Sequence, residues 1–142
     1  MNLNGKIIAI TGAGSGIGRA LAQALSTEGA KLVLADLNGD GLNETQASLA
    51  HPDACTTVIG DITQTETRSA MRKAAEDTFQ GLDILVNNAG VVAVGPLVEA
   101  DDKALDLMLR VNMLAPMQLI RDLLPTLKGA PAPTIVNIGS MF

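Results

Sequence analysis

Residues 6–18 read KIIAITGAGSGIG, and this stretch decides the fold of the chain. Its first part, through Thr11, is a short apolar run rich in isoleucine and typical of a β-strand. The glycines that follow allow the positive φ angles of a tight turn. From Gly16 to Glu28 the apolar residues then recur at helical spacing. A strand that passes through a glycine-rich turn into a helix is the first half of a β-α-β unit.

The rest of the chain repeats this alternation. Further strands are predicted at 31–35, 55–59, 83–86 and 134–138, and further helices at 40–50, 64–79 and about 101–127. Thr63 and Glu66 have the spacing of a capping box ahead of the third helix. Strands that are apolar at nearly every position are covered on both faces, as in parallel sheets. We therefore predict one α/β domain over residues 1–142, a doubly wound, Rossmann-like parallel sheet of five strands in the order 3-2-1-4-5.

Composition excludes several classes of function. The chain has 142 residues, a net charge of −5 and only two aromatic residues, so a nucleic-acid surface is not expected. Cys55 is the only cysteine and reads as a small packed hydrophobe rather than a nucleophile. The apolar run Ile7 to Ile10 is too short for a signal segment or a membrane span. We expect a cytoplasmic protein without a membrane or metal partner.

The glycine-rich turn has the spacing G-x-x-x-G-x-G at Gly12, Gly16 and Gly18. Glycines in such a turn remove the Cβ atoms that would keep a pyrophosphate away from backbone N–H groups. The helix that starts near Gly16 directs its positive end toward the same place. Ser15 and Ile17 belong to this predicted phosphate-binding turn. The alternative is a strand-to-helix turn that binds no ligand.

Asp36 ends the second predicted strand, where a carboxylate can accept hydrogen bonds from an adenine ribose. Its charge would repel the 2′-phosphate of NADP, and Ser15 rather than a basic residue precedes Gly16. The sequence thus favours NAD over NADP as the cofactor. The alternative is an aspartate that is merely solvated in a turn.

Four landmarks in order make the pattern more specific. They are the turn from Thr11 to Gly18, Asp61 after the third strand, Asn87-Asn88-Ala89-Gly90 after the fourth, and Asn137-Ile-Gly-Ser140 after the fifth. Together they resemble the N-terminal part of a short-chain dehydrogenase/reductase, and the resemblance extends over essentially the whole chain. It implies an oxidoreductase that transfers hydride between a nicotinamide and an alcohol or carbonyl substrate.

The resemblance also implies residue roles at the cofactor. Asp61 and Ile62 would flank the adenine, and Asn88, Ala89 and Gly90 would pass beneath the ribose; Leu37 and Val111 would complete the cofactor site. Two of these residues have plain alternatives. Asp61 could serve a helix N-terminus, and Asn88 could satisfy backbone groups at a strand end.

By the same resemblance, Asn112 and Ser140 match two members of a catalytic Asn-Ser-Tyr-Lys set. Pro116 has no N–H, so the carbonyl of Asn112 loses its helical partner, and we expect a kink there and a place for water. A satisfied polar group in the core is the alternative for Asn112. In place of a first serine the chain has Gly139, which leaves Ser140 in the catalytic-like position.

The chain contains no tyrosine, so the general acid/base of that set is absent. We therefore expect no turnover from these 142 residues alone. Two hypotheses of different classes follow: the front portion of an NAD-dependent dehydrogenase, or a noncatalytic NAD-binding module or remnant. The fifth strand would be an exposed apolar edge, which predicts self-association or a homo-oligomer. The substrate is predicted only as an alcohol or ketone.

Overall fold

The computed structural model describes residues 2–139. Five strands form one parallel sheet in the order β3-β2-β1-β4-β5. The strands are β1 (Ile7–Thr11), β2 (Lys31–Asp36), β3 (Cys55–Ile59), β4 (Ile84–Asn87) and β5 (Thr134–Asn137). The doubly wound sheet and the strand order predicted from the sequence are confirmed.

Helices follow the strands in alternation. They are α1 (Gly16–Thr27), α2 (Gly39–Ala47), α3 (Thr65–Phe79), α4 (Asp102–Leu109) and α5 (Ala115–Leu127). Single 3₁₀ turns occur at Pro52–Ala54 and Leu97–Glu99. The fourth predicted helix is thus divided into α4 and α5, which a π-helical segment, Arg110–Leu114, joins.

The two faces of the sheet carry separate cores. On one face, α1 and α2 pack through Ala22 and Leu42 on the central strands. On the other face, α3 and α5 pack through Met71 and Leu123 on the same strands. Both faces of β1 and β2 are therefore buried, which is why those strands are apolar at successive positions.

The β5 edge of the sheet is more exposed than its centre. β5 pairs only with β4 among the described residues, and its side chains are partly exposed, with Ile135 at 38% and Val136 at 37%. The predicted exposed edge is therefore present in the structure. Whether it pairs with another chain stays a prediction.

The capping box proposed at Thr63 and Glu66 is wrong. Gln64 is the residue that precedes α3, and it makes no side-chain capping bond. The Thr63 hydroxyl instead donates to Oδ1 of Asp61 at 2.8 Å, and the Thr63 N–H donates to the same oxygen at 2.9 Å. Asp61 competes successfully for Thr63 because a carboxylate two residues earlier closes a compact local turn.

Candidate functional site

A cleft of about 410 Å³ opens at the carboxyl ends of the strands, where β1 and β4 diverge toward helices on opposite faces. In open α/β sheets, ligands bind at such a switch point. The cleft is lined by Thr11, Gly12, Ser15, Gly16, Ile17, Ala35, Asp36, Leu37, Gly60, Asp61, Ile62, Asn88, Ala89, Gly90, Val91 and Val111. Every cofactor residue predicted from the sequence lies on this surface except Gly18.

Gly18 lies just behind the cleft, where two loops approach each other. A Cβ atom at this position would collide with the carbonyl oxygen of Gly12 and would lie 2.7 Å from Nδ2 of Asn88. Gly12 is equally constrained, since its φ is +66° and a Cβ there would lie 2.9 Å from Cα of Ala89. These two glycines therefore let the turn after β1 pack against the turn after β4.

The turn after β1 is held from the side away from the cleft. Thr45 in α2 donates its hydroxyl to the Ala13 carbonyl at 2.9 Å, and Arg19 donates to the Gly14 carbonyl at 2.6 Å. The same Arg19 forms an ion pair with Glu44 at 2.8 Å. With its carbonyls bonded on that side, the turn is fixed before any ligand binds.

The N-terminus of α1 borders the cleft without a protein cap. Ser15 occupies the N-cap position, and its side chain makes no capping hydrogen bond. The first turn of α1 also contains no acidic residue. Because the first N–H groups of a helix lack intrahelical partners and carry its positive partial charge, this end is suited to an anion.

Asp36 has a fixed carboxylate at the wall of the cleft. Its Oδ2 accepts from the Gly14 N–H at 2.8 Å, and its Oδ1 accepts from the Asn38 N–H at 2.9 Å. A Cβ at Gly14 would lie 2.9 Å from the carboxyl carbon of Asp36, so the glycine allows this close contact. The carboxylate thereby joins the turn after β1 to the end of β2.

Asp61 lies in the turn after β3, the strand next to β2, and also lines the cleft. Partial burial acts to raise the pKa of the Asp61 carboxyl, but hydrogen bonds from the Thr63 N–H, the Thr63 hydroxyl and Gln64 outweigh it and hold that pKa below its ordinary value. The carboxyl is therefore charged at neutral pH. Ile62, next to it, lines the cleft and also packs on the core formed with α3 and α5.

Thr11 contributes to the site in a way that the sequence did not reveal. Its hydroxyl accepts from the N–H groups of Asn88 and Ala89, each at 3.0 Å. In return, Nδ2 of Asn88 donates to the carbonyls of Thr11 and Gly12, at 3.0 and 3.1 Å. Asn88 thus satisfies backbone groups at the strand end, which was the alternative considered for it. It also lines the cleft.

Asn112 lies in the π-helical segment, where the proline at 116 made an irregularity predictable. Its side-chain amide forms two hydrogen bonds with one residue of the loop after β4. Oδ1 accepts from the Val91 N–H at 2.8 Å, and Nδ2 donates to the Val91 carbonyl at 2.8 Å. This amide holds the loop against the helix. Asn112 is exposed, however, so it is not the satisfied core group that was the alternative.

The end of β5 completes the described site. The Asn137 Oδ1 accepts from Nδ2 of Asn87 at 2.8 Å, which joins the ends of β4 and β5. Ser140 lies outside the described residues.

Within residues 2–139, no group of three or more histidine, cysteine, aspartate or glutamate side chains is placed to hold a metal ion. No helix of the described chain has both the length and the apolar character needed to cross a bilayer.

Comparison with known proteins agrees with this architecture. A sequence model of the family described as short chain dehydrogenase matches residues 6–142. An uncharacterized oxidoreductase from Staphylococcus aureus is 37% identical over 139 residues, which are 98% of this chain and 60% of that protein. The chain thus spans less than two thirds of the length of that relative.

Two similar solved structures contain cofactors. One is a short chain dehydrogenase/reductase from Burkholderia phymatum in complex with NAD, with 34% identity and a TM-score of 0.92 over 99% of this chain and 50% of the other. The second is L-sorbose reductase from Gluconobacter frateurii complexed with NADPH and L-sorbose, with 32% identity and a TM-score of 0.87 over 96% and 54%. Because the family model matches almost the entire chain, the chain belongs to the short-chain dehydrogenase family, whose N-terminal Rossmann portion it contains.

Proposed function

We propose that the cleft binds NAD and that the chain is the cofactor-binding part of an oxidoreductase. The observation that carries this proposal is the uncapped N-terminus of α1 at a cleft that Asp36 and Asp61 also line. Gly12 and Gly16 line the cleft there without side chains, which leaves the backbone of the turn open to a pyrophosphate. The residues present therefore fit a dinucleotide, as the complex of the Burkholderia relative also suggests.

The assignment of cofactor parts follows the walls of the cleft. The pyrophosphate would lie over Gly12, Ser15, Gly16 and Ile17. Asp36 and Leu37 would meet the adenine ribose, and Asp61 and Ile62 would flank the adenine. The second ribose would lie over Asn88, Ala89 and Gly90, with Val111 nearby, all of which border the same cleft.

We expect the protein to bind NAD more tightly than NADP. Asp36 is held by two N–H groups at the wall and cannot turn away from a 2′-phosphate without losing both bonds. In Asp36→Ala, the ratio of the two affinities should fall by about tenfold or more, because a like-charge contact and the ribose acceptor are both removed. Isothermal titration with each nucleotide measures this ratio.

Asp40→Ala is the matched control for that variant. It removes the same charge from the exposed first turn of α2, at a residue that does not line the cleft. Its ratio of affinities should remain that of the wild type. Equal affinity of the wild type for NAD and NADP would refute the role given to Asp36.

The reaction proposed for the whole protein is oxidation of an alcohol or reduction of a ketone. Bound cofactor would supply the hydride acceptor for the oxidation and, in its reduced form, the hydride donor for the reduction. Within this chain, Asn112 would order the loop that begins at Val91, beside the nicotinamide end, and Ser140 would contact the substrate oxygen.

We also propose that the chain self-associates through β5. Unpaired backbone groups on an apolar edge strand are ready to pair with another chain. Within residues 2–139, β5 pairs on one side only, and its Ile135 and Val136 are partly exposed. We expect species larger than the monomer in sedimentation velocity at tens of micromolar. Val136→Lys should reduce them, whereas a monodisperse wild-type monomer would contradict the proposal.

A further inference from the structure

Arg68 in α3 is a buried cation that lies outside the cleft. Its side chain is only 3% exposed, and it forms an ion pair with Asp122 of α5, from Nε to Oδ2 at 2.8 Å. A buried charge is stable only when it is paired and its hydrogen-bonding groups are satisfied. The remaining hydrogen bonds of this guanidinium therefore show which part of the backbone it holds in place.

Those contacts are made to the turn after β3 and to the first residue of α3. Nη1 donates to the carbonyl of Thr63 at 2.8 Å and to the carbonyl of Ile62 at 3.2 Å. Nη2 donates to the Thr65 hydroxyl at 3.1 Å. From outside the cleft, the guanidinium thus holds the backbone of the turn whose residues Asp61 and Ile62 line the cleft.

Asp122 in turn fixes the guanidinium from α5. Desolvation acts to raise the pKa of the Asp122 carboxyl, but hydrogen bonds and charges from Arg68 and Arg121 outweigh it and lower that pKa. The carboxylate is therefore ionised at neutral pH. Arg121 is 67% exposed and bonds only to Asp122 among the described residues, so of the two arginines only Arg68 reaches the turn after β3.

We propose that Arg68, held by Asp122, is a positioning residue for recognition of the adenine base. It acts through the carbonyls of Ile62 and Thr63, whose place sets the distance between the Asp61 carboxylate and the exocyclic amino group of the base. Lysine could not reproduce this, because its single ammonium lacks the planar fork that reaches Asp122 and two carbonyls together. The inference rests on the proposal that the cleft binds NAD.

The test compares NAD with nicotinamide hypoxanthine dinucleotide, which has an oxygen where adenine has its amino group. Both are titrated calorimetrically into the full chain, and melting temperatures are recorded in parallel. The wild type should prefer NAD by about tenfold, since Asp61 accepts from the amino group and repels the oxygen. In Arg68→Met and Arg68→Lys, NAD should bind roughly 10- to 100-fold more weakly, and the preference should approach unity.

Two further variants keep the result interpretable. Arg121→Met removes the other arginine at Asp122 and should leave the preference unchanged. Asp122→Asn conserves shape and should reduce the preference even if Arg68→Met fails to fold. A lower melting temperature with an unchanged preference in the variants that fold would overturn the positioning role and leave the cleft assignment intact. Failure of the wild type to bind NAD would instead defeat the proposed function, and the inference with it.

Discussion

Gly18→Ala is expected to weaken NAD binding by roughly 10- to 100-fold, although Gly18 does not line the cleft. The added methyl group would collide with the Gly12 carbonyl and crowd the Asn88 amide. To relieve this contact, either the turn after β1 or the turn after β4 must move, and both border the cleft. Calorimetric titration of NAD measures the loss, and thermal unfolding should show a lower midpoint.

Gly81→Ala is a suitable control for the added methyl group. The nearest atom to a Cβ there is Cδ1 of Ile7 at 3.8 Å, an ordinary contact, and Gly81 lies at the other end of the sheet. This variant should bind NAD as the wild type does. If Gly18→Ala did the same, the packing of the two turns would not govern the cleft.

The 142-residue chain should show no dehydrogenase turnover, which is the other large effect that we expect. A positioned general acid/base contributes about 10²- to 10⁴-fold to a rate, and the chain has no tyrosine to provide one. Production of NADH absorbance with a panel of secondary alcohols is the measurement. Another member of the family with dehydrogenase activity, assayed alongside, establishes that the panel contains usable substrates.

Turnover in the assay would contradict this expectation only if the chain, and not a contaminating enzyme, produced it. Asn112→Ala provides that check, because it releases the loop at Val91 and should lower any activity that uses this site. Activity that survived the substitution would point to a contaminating enzyme. Activity that fell with it would mean that another group replaces the missing tyrosine.

The parts of the fold that the sequence predicted are those that burial determines. β1 and β2 are covered on both faces, so their apolar runs identified them as central parallel strands, and the order of strands followed from right-handed connections. The carboxyl ends of parallel strands meet at one edge, which is why Gly12, Asp36, Asp61 and Asn88 could be grouped before their distances were known.

The parts that escaped prediction depend on contacts between distant side chains. Nothing in the local sequence shows that the Thr11 hydroxyl accepts two N–H groups from the turn after β4. Arg68 has the appearance of a surface residue in a polar helix, yet Asp122 is 54 residues away in the chain and buries it. Thr63 was assigned to a helix cap because the spacing allowed it, but the competing carboxylate of Asp61 is nearer.

The π-helical segment Arg110–Leu114 has a consequence for how this region can change in length. A π-turn contains one more residue than the α-turn it replaces, and one residue corresponds to a rotation of about 100° around a helix. Losing a single residue here could restore a regular helix, but it would turn α4 relative to α5 and carry the Asn112 amide away from Val91. Among related sequences, insertions and deletions should therefore be rarer in this segment than in the exposed loop from Val92 to Gly95.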